Sequence, residues 1–225
     1  MELKVIAHIK NDFTEKFGIP RQSGIVNTVK SDIVFESQYR NPDALRGLEQ
    51  YTHIWILWEF TESVRSEWSP TVRPPRLGGN KRMGVFATRS PFRPNPIGLS
   101  CVKIDRIRLD TTSGPVITVS GADLMNGTSI YDIKPYLPYV DSHPDASNGF
   151  ALDTREALLE VIIPDSIAEN LSEAKRNELI EILAQDPRPQ YQNEPERVYT
   201  MSFGGYDVSF RVDSGTLNVC KIVQI

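Results

Sequence analysis

The sequence predicts a mainly β protein, a barrel or a sandwich, followed by a small α+β unit. Three observations carry this. Short runs rich in β-branched residues, each closed by turn residues, fill the chain up to about residue 140. One long helical pattern occurs, and it starts only after Ser172. Between the two regions, SHPDASNGF (142–150) is polar and turn-rich and reads as a linker, so the expected domains are 1–145 and 146–225.

Taken in order, LKVIAHI (3–9), GIVNTV (24–29) and DIVFES (32–37) are expected strands. A short helix follows, with Asn41 as N-cap, Pro42 at the first helical position, and Leu45, Leu48 and Tyr51 on one face. IWILWEF (54–60) is an unbroken apolar run and is expected to be a fully buried strand. MGVFATR (83–89), SCVKIDRIRL (100–109) and PVITVSGA (115–122) are further strands. In 61–82, Pro70, Pro74, Pro75 and the adjacent Gly78 and Gly79 exclude regular structure. Loops of that length are functional or disordered, and the arginines and Trp68 favour function. ALLEVIIP (157–164) is a strand. The helix capped by Ser172 has Leu179, Ile182 and Leu183 on its apolar side and stops at Asp186-Pro187. RVYTMSF (197–203), YDVSFRV (206–212) and TLNVCKIV (216–223) close the chain, joined by turns at Gly204-Gly205 and Asp213-Ser214-Gly215.

The 225 residues suffice for a hydrophobic core without staples. No apolar run approaches a membrane span, and the first residues read as a strand rather than a signal peptide. Cys101 and Cys220 lack metal or redox spacing, and His8, His53 and His143 lack paired-ligand spacing. The expectation is therefore a reduced, cytoplasmic protein without a metal. The net charge is −4, yet residues 65–108 hold ten Lys/Arg against two Asp/Glu. A basic band on an acidic body fits a localised polyanion site; a solvated basic face is the other reading. The dinucleotide, phosphate-loop and serine-hydrolase signatures are missing, so a cofactor would sit outside a Rossmann crevice.

Three loop motifs could carry chemistry. In RMGVFATRSPFRPNPIGLS (82–100), Pro91, Pro94 and Pro96 stiffen the backbone that presents Arg89, Phe92 and Arg93. Such a segment loses little entropy on binding, and arginine forks suit carboxylate or phosphate. A proline-stiffened scaffold with surface arginines fits equally well. In GADLMNGTSIYDIKPYLPY (121–139), Asp123 and Asn126-Gly127 mark a turn with close backbone approach. Asp132 and Lys134 share a face if extended, as an ion pair or as a base with its charge partner. FGIPRQSG (17–24) is another Pro-Arg turn. All three could converge at one barrel mouth.

PRQSG (20–24), RPPRLGGNKRMGVFATRSPFRPNPIGLS (73–100), DLMNGTS (123–129) and DIKPYLPY (132–139) together resemble the TsaA-like (TrmO) family of S-adenosylmethionine-dependent tRNA methyltransferases. DPRPQYQ (186–192) and RVYTMSFGGYDVSFRV (197–212) resemble the small C-terminal domain of its bacterial members. The resemblance implies a single-sheeted β-barrel N-terminal domain, a homodimer, and N6-methylation of threonylcarbamoyladenosine at tRNA position 37, mainly in threonine tRNA. It places S-adenosyl-L-methionine against Pro20, Arg21, Gln22, Thr61, Glu62, Arg89, Leu99, Leu124, Met125, Asn126 and Gly127. The partner is the tRNA anticodon stem-loop, tracked by the basic band. Asp132 is the candidate proton acceptor. The alternative is a non-catalytic module that binds S-adenosylmethionine or RNA.

Overall fold

Alternation, not uniform burial, organises the first half of the chain. The computed structural model describes residues 2–64, 67–74, 77, 81–150, 158–188 and 194–225. Strands β1 (Ala7–Lys10), β2 (Lys30–Phe35) and β3 (His53–Glu59) come first. A two-stranded ribbon follows, β4 (Thr71–Val72) with β5 (Met83–Gly84). Strands β6 (Ile97–Arg108), β7 (Val116–Ser120) and β8 (Ser129–Pro135) complete the half. Six of these close a barrel in the order β1-β2-β7-β6-β3-β8, every neighbouring pair antiparallel. Closure leaves no sheet edge to template pairing with another chain. Ile9, Ile33, Ile54, Ile56, Val102, Ile117, Val119 and Ile130 fill the interior, each buried almost completely.

Several expectations need correction. β3 is not buried on both faces. Ile54, Ile56 and Trp58 point inward while Trp55, Leu57 and Glu59 are only half-buried, because a barrel strand has one interior face. GIVNTV (24–29) forms no strand; Val26 and Val29 are instead buried in a second core. MGVFATR is a strand only at Met83–Gly84 and then turns through a 3₁₀ segment, Val85–Ala87. Within 61–82, Thr71–Val72 does pair, while Gly78 and Gly79 lie outside the described residues. The helix expected at 41–51 is two 3₁₀ turns, Pro42–Leu45 and Leu48–Gln50. Asn41 does cap the first, accepting the Asp43 N–H at 3.0 Å, but Gly47 sits at φ +90° and interrupts the helix.

After a single helical turn, α1 (Pro138–Asp141), the second half forms a four-stranded sheet with helices α2 (Asp165–Ala168) and α3 (Glu173–Ala184). Its strands are β9 (Glu160–Ile162), β10 (Tyr199–Phe203), β11 (Tyr206–Asp213) and β12 (Thr216–Gln224), in the order β10-β11-β12-β9. Only β9 runs parallel to its neighbour. Ser172 caps α3 by accepting the Lys175 N–H at 3.2 Å. Gly204 and Gly205, at φ +58° and +81°, make the tight β10–β11 turn, which needs two left-handed residues.

The two halves share a core. The segment between β1 and β2 leaves the barrel and buries Phe13, Val26 and Val29 among Leu179, Ile182, Met201 and Phe203 of the second half. Polar contacts fix the same seam. Glu181 accepts from the backbone N–H groups of Asn27 and Thr28, both at 2.9 Å, and from the Thr28 hydroxyl at 2.5 Å. Lys175 reaches Asp12 at 2.6 Å.

Candidate functional site

One mouth of the barrel gathers the chemistry. Here β3 ends, β6 begins, β7 runs into the 121–128 loop, and the β1–β2 connection passes over the rim. Between them lies a cavity of about 640 Å³, a size suited to a drug-sized ligand. Its apolar wall includes Ile19, Trp58, Phe60, Phe92, Ile97 and Leu99; its charged groups include Arg21, Arg89, Arg93, Glu59, Glu62 and Asp123.

The floor follows from strand register. Gly98 and Ser100 of β6 face inward, and Gly98 pairs with Trp58 across the ladder. The indole lies flat over the glycine: a Cβ there would stand 2.2 Å from the ring. A bulge between Leu57 and Trp58, where β3 meets β8, helps to aim that side chain. The Trp58 indole N–H donates to Ser100 Oγ at 2.9 Å, and the Ser100 hydroxyl donates to Asp123 Oδ1 at 2.5 Å. Ser100 is fully buried, so both contacts are needed to satisfy it. Burial pushes the Asp123 carboxyl up from the ordinary aspartate range. The Ser100 hydroxyl, backbone N–H groups including that of Ser23, and the charge of Arg89 only partly offset this. Burial and a hydrogen bond to Glu59 also push the Tyr131 phenol up to about 12.

The walls are stitched together by backbone contacts. Gly121, at φ +81°, lets its carbonyl accept the Gly24 N–H at 2.8 Å, which brings the β1–β2 connection against the 121–128 loop. Asn11 holds that loop by donating to the Leu124 carbonyl at 2.9 Å. In the proline-rich loop, Arg93 folds back and donates to the Thr88 carbonyl at 2.9 Å, bracing its own turn. Arg89 instead crosses to Gln22 Oε1 at 2.5 Å.

Of the residues expected at a site, Pro20, Arg21, Gln22, Thr61, Glu62, Arg89, Leu99 and Met125 all line this one cavity. Others do not line it. Leu124 is buried in the barrel core. Asn126 accepts from the Asn11 N–H at 3.1 Å, and Gly127 donates its N–H to Ile9 at 2.8 Å. Asp132 lies on β8 in an ion pair with Lys134 at 2.9 Å, outside the lining. The Arg21 guanidinium donates to the carbonyls of Asp186 and Arg188, at 3.2 and 3.1 Å, tying this wall to the second half. Sequence reasoning missed Trp58, Ser100 and Phe60, and read Asp123 only as a turn. The available signal was the two-residue period of β3 and β6, which puts Trp58 and Ser100 on one interior face. Among the described residues, no three His, Cys, Asp or Glu side chains gather as a metal site. No described helix is long and apolar enough to cross a membrane.

Family comparison bears directly on this geometry. The tRNA-methyltransferase O N-terminal domain matches residues 8–142, and the TrmO C-terminal domain matches 156–225. The chain belongs to the TrmO family. It is 40% identical over 223 residues to the tRNA (adenine(37)-N6)-methyltransferase of Escherichia coli K12, covering 95% of this chain and 94% of that protein. It is 41% identical to a putative S-adenosylmethionine-dependent methyltransferase, RcsF, of Pseudomonas aeruginosa, over 90% of this chain and 89% of the relative. The crystal structure of TrmO from Pseudomonas aeruginosa superposes with a TM-score of 0.77 at 30% identity, covering 99% of this chain and 98% of that one.

Proposed function

We propose that this chain is an S-adenosylmethionine-dependent methyltransferase acting on N6 of adenosine 37 in tRNA, with threonylcarbamoyladenosine as the base it modifies. The observation that carries the reading is the cavity at the barrel mouth. Three loops far apart in sequence deliver Pro20-Arg21-Gln22, Arg89 with Arg93, and Asp123 with Met125 to it, in a chain that matches the TrmO family along its length. The lining has the chemistry that this cofactor requires: an aromatic and aliphatic wall for the adenine ring, and Arg89 for a carboxylate.

The cofactor, when bound, supplies an electrophilic methyl group on a sulfonium sulfur. The protein's part is to hold, orient and dry the reactants. The acceptor nitrogen belongs to a urea-like group whose lone pair is delocalised, so in-line placement is the main contribution expected of the site. Asp132 is the proton acceptor suggested by its place in DIKPY. Its ion pair with Lys134 and its position off the cavity favour a structural role instead.

The partner in this reading is the anticodon stem-loop. Exposed Arg73, Lys81 and Arg82 flank the β4–β5 ribbon, with Trp68 and Phe86 exposed nearby in the chain. Such groups suit phosphates and unpaired bases. A homodimer, as the family resemblance implies, completes the proposal, with the cytoplasm as the compartment that two cysteines without redox spacing suit; sedimentation velocity tests the dimer. The deciding experiment is transfer of labelled methyl from S-adenosylmethionine to tRNA with or without the threonylcarbamoyl group. Transfer only to modified tRNA is expected. Cofactor binding without transfer to any RNA would make the chain a non-catalytic module.

A further inference from the structure

We infer that Asp123 is the counter-ion for a positive charge carried by the cofactor. This deepens the reading above and rests on it. Three observations on Asp123 lead there. First, it lines the cavity, at the meeting point of β6 and the 121–128 loop. Second, its built contacts are neutral donors: the Ser100 hydroxyl at 2.5 Å and the backbone of Ser23. Ser100 is itself held by the Trp58 indole, so the carboxylate is fixed in place rather than mobile. Third, Asp123 has no ion pair among the described residues. Arg89, the charge that acts on it, directs its guanidinium to Gln22.

A carboxylate removed from water without an ion pair is unfavourable, and a cation entering the cavity relieves that cost. The burial of Asp123 in the cavity lining is in keeping with this. Of the other carboxylates in the lining, Glu62 is ion-paired with Lys16 at 2.9 Å and Glu59 is engaged by the Tyr131 phenol, so Asp123 is the negative group left to act beside Arg89. S-adenosylmethionine carries a carboxylate for Arg89. It offers two cations for Asp123, the sulfonium and the amino group. The shared chemistry is a cation held by Asp123, and the two sources are separable by ligand choice.

The experiment is calorimetric titration of wild-type and Asp123→Asn protein with S-adenosylmethionine, S-adenosylhomocysteine and 5′-methylthioadenosine. The second ligand lacks the sulfonium charge; the third lacks both cations. Losing a charged partner is expected to weaken binding by about 10- to 100-fold. Weakening confined to S-adenosylmethionine supports the proposal and names the sulfonium. Equal weakening of the first two ligands, with methylthioadenosine unchanged, supports it and names the amino group. No change in any ligand overturns it. Equal weakening of all three also overturns it, because Asp123 would then be a structural part of the pocket. A Leu99→Arg protein, which fills the cavity, separates this from the parent reading. If Leu99→Arg abolishes cofactor binding while Asp123→Asn leaves it intact, only the counter-ion falls. If Leu99→Arg binds normally, the cavity is not the cofactor's site.

Discussion

Replacing Gly98 by alanine tests whether the cavity floor depends on strand register. The added methyl would stand 2.2, 2.5 and 2.6 Å from Cε2, Cζ2 and Cδ2 of Trp58. Carbon atoms pack at about 3.5–4.0 Å, so the indole must move by roughly an ångström. It has little room, being buried against Phe60, whose ring centroid is 4.2 Å away. Overpacking of this kind costs about 1–3 kcal/mol. The displaced indole also loses its bond to Ser100, adding about 1 kcal/mol. A total of about 2–4 kcal/mol lowers the Tm of a chain this long by roughly 5–15 °C. Thermal unfolding followed by circular dichroism reads the shift, and tryptophan fluorescence reads the moved ring. S-adenosylmethionine affinity is expected to fall in the same variant. The decisive control is a double-mutant cycle with Trp58→Phe, which should be strongly non-additive. A Gly98→Ala protein that melts within about a degree of wild type and binds the cofactor normally would refute the reasoning.

Three further outcomes are expected. Burial alone would raise the Glu181 carboxyl, but the Thr28 hydroxyl and the N–H groups of Asn27 and Thr28 outweigh it and hold the group below the usual glutamate range. Its stabilisation is therefore complete above the ordinary glutamate pKa and lost as pH falls through the depressed one. Glu181→Gln should be about 1 kcal/mol less stable than wild type near pH 7, with the gap closing in acid, as denaturant titrations at several pH values would reveal. Arg21→Ala should raise the KM for S-adenosylmethionine several-fold with little change in kcat, because it releases the wall from the Asp186 and Arg188 carbonyls. Asp132→Asn should turn over within about twofold of wild type; a loss of a hundredfold in a folded protein would restore the general-base role.

Much of this architecture is legible in the residues. Ile/Val-rich runs and glycine turns mark most of the strands, though not β4 or the barrel strand β8, and Asn41 and Ser172 announce their caps. The failures have physical causes. GIVNTV has the composition of a strand, but Val26 and Val29 satisfy their hydrophobicity against α3 and the second sheet, so no ladder is required. The unbroken run of β3 hides the fact that Trp55 packs outside the barrel, where its indole donates to Asp141 at 3.1 Å. At the site, motif loops are visible because prolines, glycines and arginines mark them. The Trp58–Ser100–Asp123 chain is not, since it exists only once β3 and β6 pair in one register and Gly121 adopts its left-handed turn.

The shared core has a consequence for the order in which the molecule is made. A ribosome releases the barrel strands first, and domains generally fold from the N-terminal side as they emerge. Here Phe13, Val26 and Val29 share a core whose other buried side chains are synthesised more than a hundred residues later. Until α3 and the final hairpins arrive, the β1–β2 connection can bond to the 121–128 loop, through Gly24 to Gly121 and Asn11 to Leu124, but its apolar side chains lack their partners in the second half. The barrel strands can therefore pair before the apolar side of this cavity wall is covered, and Arg21 gains the Asp186 and Arg188 carbonyls that brace it only once the second half is present.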